Sequence, residues 1–347
     1  MALPSTCFML NTIVKLLKKR LKKLFSSLFG KKKASIYIQP LIDAACNKGY
    51  VESYSNKADS LHLDIKKKLY EEDLQTSFLK LMGSLAPHFR KGKVRLAVDF
   101  QEQGFYGKTH SFHMIGTAYK KKPYKKAFKF ITISLLTGNK EERIPLYALP
   151  WHLGQDLTET IARLIDAVKP WLGKIEVVQF DRGFHSKELV HYLTERKIPY
   201  LMHIRKAGNY LKSLVETTKS FYRGTYHMKF TANKTTYRTS SCLYVCKDVK
   251  KKDWLFLSSI WFTGKYQLIS LYRNRWQIET NYAVHNAARI MSRSTDYMVR
   301  YFYYLVDVLL QVLWRISASM MPFRTFLFTL VVGIQKMMER KRGFDET

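Results

Sequence analysis

Acidic residues are scarce in this chain of 347 residues: 27 Asp and Glu stand against 59 Lys and Arg, a formal charge of +32. So large an excess repels itself unless a polyanion is near, and nucleic acid, whose neutralised phosphates release counterions, is the commonest such partner. An anionic membrane surface is the second. Cysteine is nearly absent as well. The four present (Cys7, Cys46, Cys242 and Cys246) are too sparse for a disulfide framework, and Cys242 and Cys246 lack a second Cys or His pair at zinc spacing. This excludes a disulfide scaffold and a structural zinc, and suits a reducing compartment. Long hydrophobic runs are also missing. The stretches 302–314 and 325–335 carry or border Asp307, Arg315 and Arg324 and fall short of the roughly 18 residues a membrane span needs. The N-terminal apolar stretch is broken by Asn11, and its lysines follow the apolar part, the wrong order for a secretory signal. The expectation is a basic cytoplasmic protein, nucleoid-associated in a prokaryote, with no membrane partner.

What is present is enough for a large core: 46% of residues are hydrophobic and 14% aromatic. At about 150 residues per domain the length allows two or three domains. Residues 11–29 space Ile13, Leu17, Leu21, Leu24 and Leu28 helically, with Lys15, Lys18, Lys19, Lys22 and Lys23 largely opposite. Such a basic amphipathic helix can lie on anionic lipid, follow a phosphate backbone, or be the solvated face of a small helical core. Lysine and arginine blocks recur at Lys31–Lys33, Lys66–Lys68, Lys120–Lys122, Lys250–Lys252 and Arg340–Arg342. Charge spread over every segment suits a long polyanion better than one anchor helix. Residues 38–48 and 58–82 read as further helices, and 1–90 as a helical, basic DNA-binding region.

From residue 94 the period changes to two. Val94, Leu96, Val98 and Phe100 alternate with Arg95, Ala97 and Asp99, as in a strand ending in a carboxylate. Strand-like runs follow at 111–119 and 127–136, then a helix near 156–169 opened by Asp156 with Glu159 in a capping arrangement. Residues 175–180 form another apolar strand that stops at Asp181-Arg182-Gly183. Ser186 suits the cap of a helix over 186–196, and a short strand covers 199–204. The order β-β-β-α-β-α-β matches a ribonuclease H type of α/β sheet, mixed in strand direction and flanked by helices. There the first and fourth strands are central neighbours, so Asp99 and Asp181 are expected to face each other across one pair of strand ends. The expected division is a core beginning at 91–205, a β-rich insertion at 206–262, and a catalytic helix with a helical C-terminal region over 263–347.

Converging carboxylates repel unless a cation occupies the gap. Asp99, Asp181 and Glu279, the last on a helix expected to pack beside them, form a hard oxygen set suited to Mg²⁺ or Mn²⁺, and two such ions suit in-line phosphoryl transfer. The helix reads Tyr272-Arg273-Asn274-Arg275-Trp276-Gln277-Ile278-Glu279. Tyr272, Arg275, Glu279 and Asn286 lie 3, 4 and 7 residues apart and share one face at 3.6 residues per turn. An arginine there can hold a phosphate without occupying a metal site.

These residues carry a resemblance. Tyr272, Arg275, Trp276, Ile278 and Glu279 fit the signature of the DDE insertion-sequence transposases of the family-four clan: Tyr, two residues, Arg, three residues, Glu, six residues, Lys. An archaeal branch of that clan is one candidate. Asp181-Arg182-Gly183-Phe184 resembles the clan's second-aspartate motif, and Asp99 after an apolar strand resembles the first. The resemblance spans roughly residues 94 to 290. It implies a ribonuclease H-like catalytic domain with a β-rich insertion before the Glu, for which the 98 positions from Asp181 to Glu279 leave room. The implied reaction is hydrolysis at the transposon ends followed by attack of the freed 3′-hydroxyl on a phosphodiester, with Mg²⁺ or Mn²⁺, two ions, as cofactor. Asp99, Asp181 and Glu279 are the implied catalytic and metal residues. Arg275 is the implied phosphate clamp, Tyr272 a backbone hydrogen-bond donor, and Trp276 a base-stacking residue or a packing tryptophan. The implied partners are double-stranded DNA, as terminal inverted repeats and target, and a second copy of the chain in a homodimer on paired ends. One departure is that the signature's final Lys is Asn286, which hydrogen-bonds a phosphate without neutralising it. Arg289 or Arg293 on the same helix, and Arg182 beside the second aspartate, are candidate DNA contacts. The departure also keeps open a catalytically impaired or domesticated relative that binds DNA without cutting it.

His110 and His113, three positions apart at an expected strand, have no matching ligand pair and read as structural or surface residues more readily than as a metal site. Phe105-Tyr106-Gly107 is either a DNA-contacting or an ordinary hairpin turn. Tyr297, Tyr301, Phe302, Tyr303 and Tyr304 suit helix packing or a dimer surface better than base stacking.

Overall fold

The computed structural model describes residues 6–89, 92–116, 123–136, 143–247, 253–273, 275, 289–317 and 321–345. The amphipathic start folds as α1 (Thr6–Phe29), with Leu21, Leu24 and Phe25 buried and Lys15, Lys19, Lys22 and Lys23 exposed. It packs on α2 (Lys31–Asn47) and α4 (Glu71–Leu85). The single helix expected over 58–82 is two, α3 (Ala58–Lys68) and α4, parted at Leu69, whose backbone is extended. This bundle is completed from the far end of the chain by α9 (Tyr297–Ser317) and α10 (Phe323–Asp345), which pack on α3, α4, α1 and α2.

Among the described residues one nine-stranded sheet runs through the molecule. Its centre consists of β1 (Lys93–Phe105), β3 (Lys126–Leu136), β4 (Arg143–Trp151), β5 (Lys174–Phe180) and β6 (Tyr200–His203). They lie in the order β4-β3-β1-β5-β6, antiparallel across β4, β3 and β1 and parallel across β1, β5 and β6. This is the expected ribonuclease H-like arrangement, with one substitution in its meander. The second of the expected strands, 111–119, is only β2 (Met114–Gly116) at the margin of β3, and the third strand of the meander is β4. Pro145 and Pro150 argue against a strand in the sequence. The structure accommodates them because among the described residues β4 pairs only with β3 and the register shifts beside Pro145, so the missing N–H groups cost no central ladder.

The caps expected for the crossover helices are formed. The Asp156 carboxylate accepts from the Glu159 N–H at 2.7 Å ahead of α5 (Leu157–Val168), and the Ser186 hydroxyl accepts from the Leu189 N–H at 3.0 Å ahead of α6 (Lys187–Glu195). After β6 comes α7 (Asn209–Thr217), which the sequence did not suggest, and then β7 (Phe221–Ala232), β8 (Thr235–Lys247) and β9 (Asp253–Ser258). The short β pieces expected here are fused into long strands. They extend the central sheet, since β9 pairs with β6 and β8 with β9.

Register assigns the faces. Ala97, Gln179, Leu201, Ser258 and Cys242 are successive cross-strand partners and define one face, because side chains alternate with period two. On that face α9 covers β3 and β4: the Tyr304 hydroxyl meets Thr132 at 2.6 Å, its ring stacks on Phe130 at 4.3 Å, and Tyr301 donates to the Ala148 carbonyl. The α9 aromatics are thus packing residues. Helical residues 265–273, here α8, cover the other half through Leu268, Ile269 and Tyr272, packed with Val177, Leu201, Tyr244 and Phe256. The acidic positions lie between the two helices.

Candidate functional site

β1 and β5 run parallel with Val98 paired to Phe180, so the next residue of each strand, Asp99 and Asp181, stands beside the other on the face shared with α8. β5 ends there, whereas β1 continues to Phe105. Asp99 is therefore a mid-strand residue, not the strand end that the alternation suggested, and it paired with Thr132 of β3. Local bonds aim both carboxylates. Asp99 Oδ1 accepts from the Phe100 N–H at 2.9 Å, and Asp181 Oδ1 from the Arg182 N–H at 2.8 Å, capping the 3₁₀ turn Arg182–Phe184. That turn lays the Phe184 ring face to face on Phe100, 4.4 Å between centroids and 12° between planes.

α8 is tied to β5 by Gln179, whose amide donates to the Leu271 carbonyl at 3.1 Å. It brings in Tyr272 and Arg275, both buried. The Tyr272 hydroxyl donates to Asp181 Oδ1 at 3.4 Å, and its ring packs against Phe256 and His203. The Arg275 guanidinium reaches both acids, with Nη1 3.7 Å from Asp99 Oδ2 and Nη2 3.5 Å from Asp181 Oδ1. Burial opposes the charge on Arg275, but Tyr272 and the two aspartates raise its pKa, so it stays a cation. Burial also pushes the Asp181 carboxyl up. The His203 imidazole 4.0 Å away, the Arg275 charge and the Arg182 N–H pull it down further, leaving it well below the usual carboxylate range. Burial, only partly offset by Arg275, keeps the Tyr272 hydroxyl protonated. The pocket thus holds an ionised carboxylate at neutral pH beside a fixed cation.

His203 went unnoticed in the sequence. Only register places it: Phe180 pairs with Met202, so the residue after each stands at the same level of adjacent parallel strands. The other expected site residues divide. Glu279, Trp276 and Asn286 lie outside the described residues. Among the described residues no group of three or more His, Cys, Asp or Glu could hold a metal ion. Arg182 is exposed beside Asp181. Arg289 is not brought to the acid pair. It lines a cavity of about 440 Å³ at the far end of β1, with Lys48, Tyr50, Tyr106, Arg293 and Arg300, some 20 Å along the strand at about 3.3 Å per residue. There Arg300, 4% exposed, lies over the Phe128 ring, and burial with the nearby Arg289 charge lowers its pKa to about 10. Tyr106 of the turn after β1 is exposed at that cavity. His110 and His113 precede β2 instead of sharing a strand. His113 stacks on Tyr297, and His110 meets Lys126.

The mixed sheet, with two aspartates side by side at its central parallel strands, is a ribonuclease H-like fold. Residues 94–299 match the family model of the transposase DDE domain, and the chain belongs to that family. Across 96% of this chain and 71% of the other, the fold is similar to that in the cryo-EM structure of the piggyBac transposase synaptic complex with hairpin DNA, with a TM-score of 0.57 and 13% sequence identity. Among curated proteins none matches the chain in sequence. Within the described residues no helix is long and apolar enough to cross a membrane.

Proposed function

We propose that the protein is a DNA transposase of the family-four clan that cuts DNA at element ends and joins the freed 3′-hydroxyl to target DNA. The observation that carries this reading is the side-by-side pair Asp99 and Asp181 on neighbouring parallel strands, with the Arg275 guanidinium within 3.7 Å of both. Transposases of the DDE type generally use divalent metal ions. The donor chemistry fits: two carboxylates of hard oxygen are oriented by their own backbone and already draw a cation to the space they share. Asp99, Asp181 and Glu279 are the residues to hold two ions, Mg²⁺ or Mn²⁺, which when bound stabilise the attacking and leaving oxygens of an in-line displacement.

The chain's own groups do the rest. Arg275 swings from the carboxylates to a flanking phosphate, where a planar guanidinium binds two oxygens at once. Tyr272, held protonated, donates a hydrogen bond to the DNA backbone. Arg182, Arg289, Trp276 and Asn286 serve as further DNA contacts, and the basic helical region before β1 adds affinity. Two copies acting on paired ends make a homodimer. The test is incubation of the purified protein with DNA carrying the inverted repeats that flank its gene, with Mg²⁺ or with EDTA. Cleavage that needs the metal and falls about 10³-fold or more in Asp99→Ala, with duplex binding retained, is the expected result. Bound but intact DNA in the wild type supports instead a non-cutting relative, the reading motivated by Asn286 in place of the signature's lysine.

A further inference from the structure

The strands β7 and β8 form a two-stranded ribbon whose outer part runs past the end of β9: the last pair between β8 and β9 is Cys242 with Ser258, and among the described residues Thr235–Ser241 pair only with β7. At about 3.3 Å per residue this leaves roughly 20 Å of ribbon beyond the sheet. Its two faces differ. One, with Met228, Phe230 and Tyr237, is backed by α6, where His191 meets both rings. The other is open. Its cross-strand pairs are His227 with Ser240, Lys229 with Arg238, and Thr231 with Thr236, all exposed. No acidic residue occurs anywhere from Phe221 to Lys247. The tip, Asn233-Lys234, has both residues at positive φ, the tight two-residue turn whose twist matches that of the strands it joins.

Two features of this open face need a partner to make sense. Lys229 and Arg238 stand directly opposite, an arrangement of like charges that destabilises an antiparallel pair. The remaining positions are hydroxyls or histidine, which solvate phosphate oxygens well and form no apolar docking surface. The face also has a definite relation to the acids. Following the register from Asp181, level with His203, through Phe256 and Tyr244 to Arg223, the parity places Thr225, His227 and Lys229 on the same side of the sheet as Asp99 and Asp181. Four strand spacings of about 4.8 Å separate β5 from β7, about 20 Å.

We infer that the open face of the β7–β8 ribbon is a docking surface for the phosphate backbone of the same duplex DNA whose strand reaches the acid pair. This rests on the functional reading above. A two-stranded ribbon is narrow enough to lie along a groove of B-DNA, and backbone contacts of this kind carry affinity and orientation without reading sequence.

The test uses the full chain and a fluorescently labelled random-sequence duplex, followed by anisotropy over a range of NaCl without divalent metal, so that it does not depend on cleavage. The double variant Lys229→Ala/Arg238→Ala is expected to bind about tenfold or more weakly, with a log–log salt slope shallower by nearly two, the loss of two phosphate contacts. Its melting temperature is expected to hold or rise, because the opposed charges are gone. Lys229→Glu, which creates an opposite-charge pair with Arg238, is expected to stabilise the fold and weaken binding as well. A control pair, Lys169→Ala/Lys212→Ala, is expected to bind like the wild type. Unchanged affinity and slope in both ribbon variants, or an equal loss in the control pair, overturns the ribbon surface while leaving the functional reading intact. A wild-type protein that binds no duplex overturns both.

Discussion

Two carboxylates in this molecule have nearly the same neighbours and opposite designs. In the helical bundle, Asp64 accepts from the Tyr37 hydroxyl at 2.8 Å and pairs with Lys33 and with Lys68, the latter at 3.0 Å. At the sheet centre, Asp181 has the Tyr272 hydroxyl, His203 and Arg275 around it. The difference lies in how the cations are held. Asp64 has two lysines on exposed stems, 41% and 64% accessible, so either can leave without stranding the acid. Arg275 is buried, 8% accessible at its side chain, and divided between Asp181 and Asp99. A redundant pairing braces a fold. A single cation shared by two acids makes a site whose charge balance changes when that cation turns to another anion.

The comparison is sharpened by removing its members. After the loss of cleavage expected in Asp99→Ala, the next largest effect belongs to Arg275→Gln. Taking away the buried shared cation leaves two half-buried carboxylates side by side, and denaturant unfolding is expected to report a loss of about 2–3 kcal/mol. A loss under about 0.5 kcal/mol would mean that other groups hold the acids. Asp64→Ala is expected to cost less, about 2 kcal/mol, because its lysines can turn to water once the acid is gone.

Asp64 also gives a pH signature. Burial pushes its pKa up, and Lys33, Lys68 and Tyr37 pull it down further, to a net value below the ordinary one. Its contribution is therefore fully present above the unfolded carboxylate pKa, about 4, and is lost as pH falls through the lower folded value. Thermal melts between pH 2 and pH 6 are expected to show a shallower acid limb in Asp64→Asn than in the wild type, and equal limbs would break the assignment. The smallest effect is Lys33→Gln, within about 0.5 kcal/mol in the same unfolding measurement, since Lys68 remains.

The central strands were legible because burial writes itself into sequence. Val94 to Phe100 alternate, and Ile175 to Phe180 form a short apolar run that stops at an aspartate. From these the topology follows, and with it the adjacency of Asp99 and Asp181. β4 was not legible because its prolines speak against a strand locally, and only its place at the margin of the sheet makes them harmless. The continuation of β1 past Asp99 was hidden by Gln101, Glu102 and Gln103, polar residues on a strand still paired to β3. His203 is a matter of register, which a single strand read alone does not contain. The distance of Arg289 from the acid pair was not legible for a similar reason, because its neighbours come from the far end of β1 and from Tyr50. The third acid, Glu279, remains a reading of the sequence.

The stacked rings of Phe100 and Phe184 make a stiff clasp between chain positions that are otherwise far apart. Each ring sits next to one aspartate's own segment, so the gap between the acids is set by two flat surfaces in contact and not by the slack of a loop. Trimming either ring to an aliphatic residue would let that gap breathe while every charged group stayed in the sequence, separating the chemistry of the carboxylates from the rigidity that aims them.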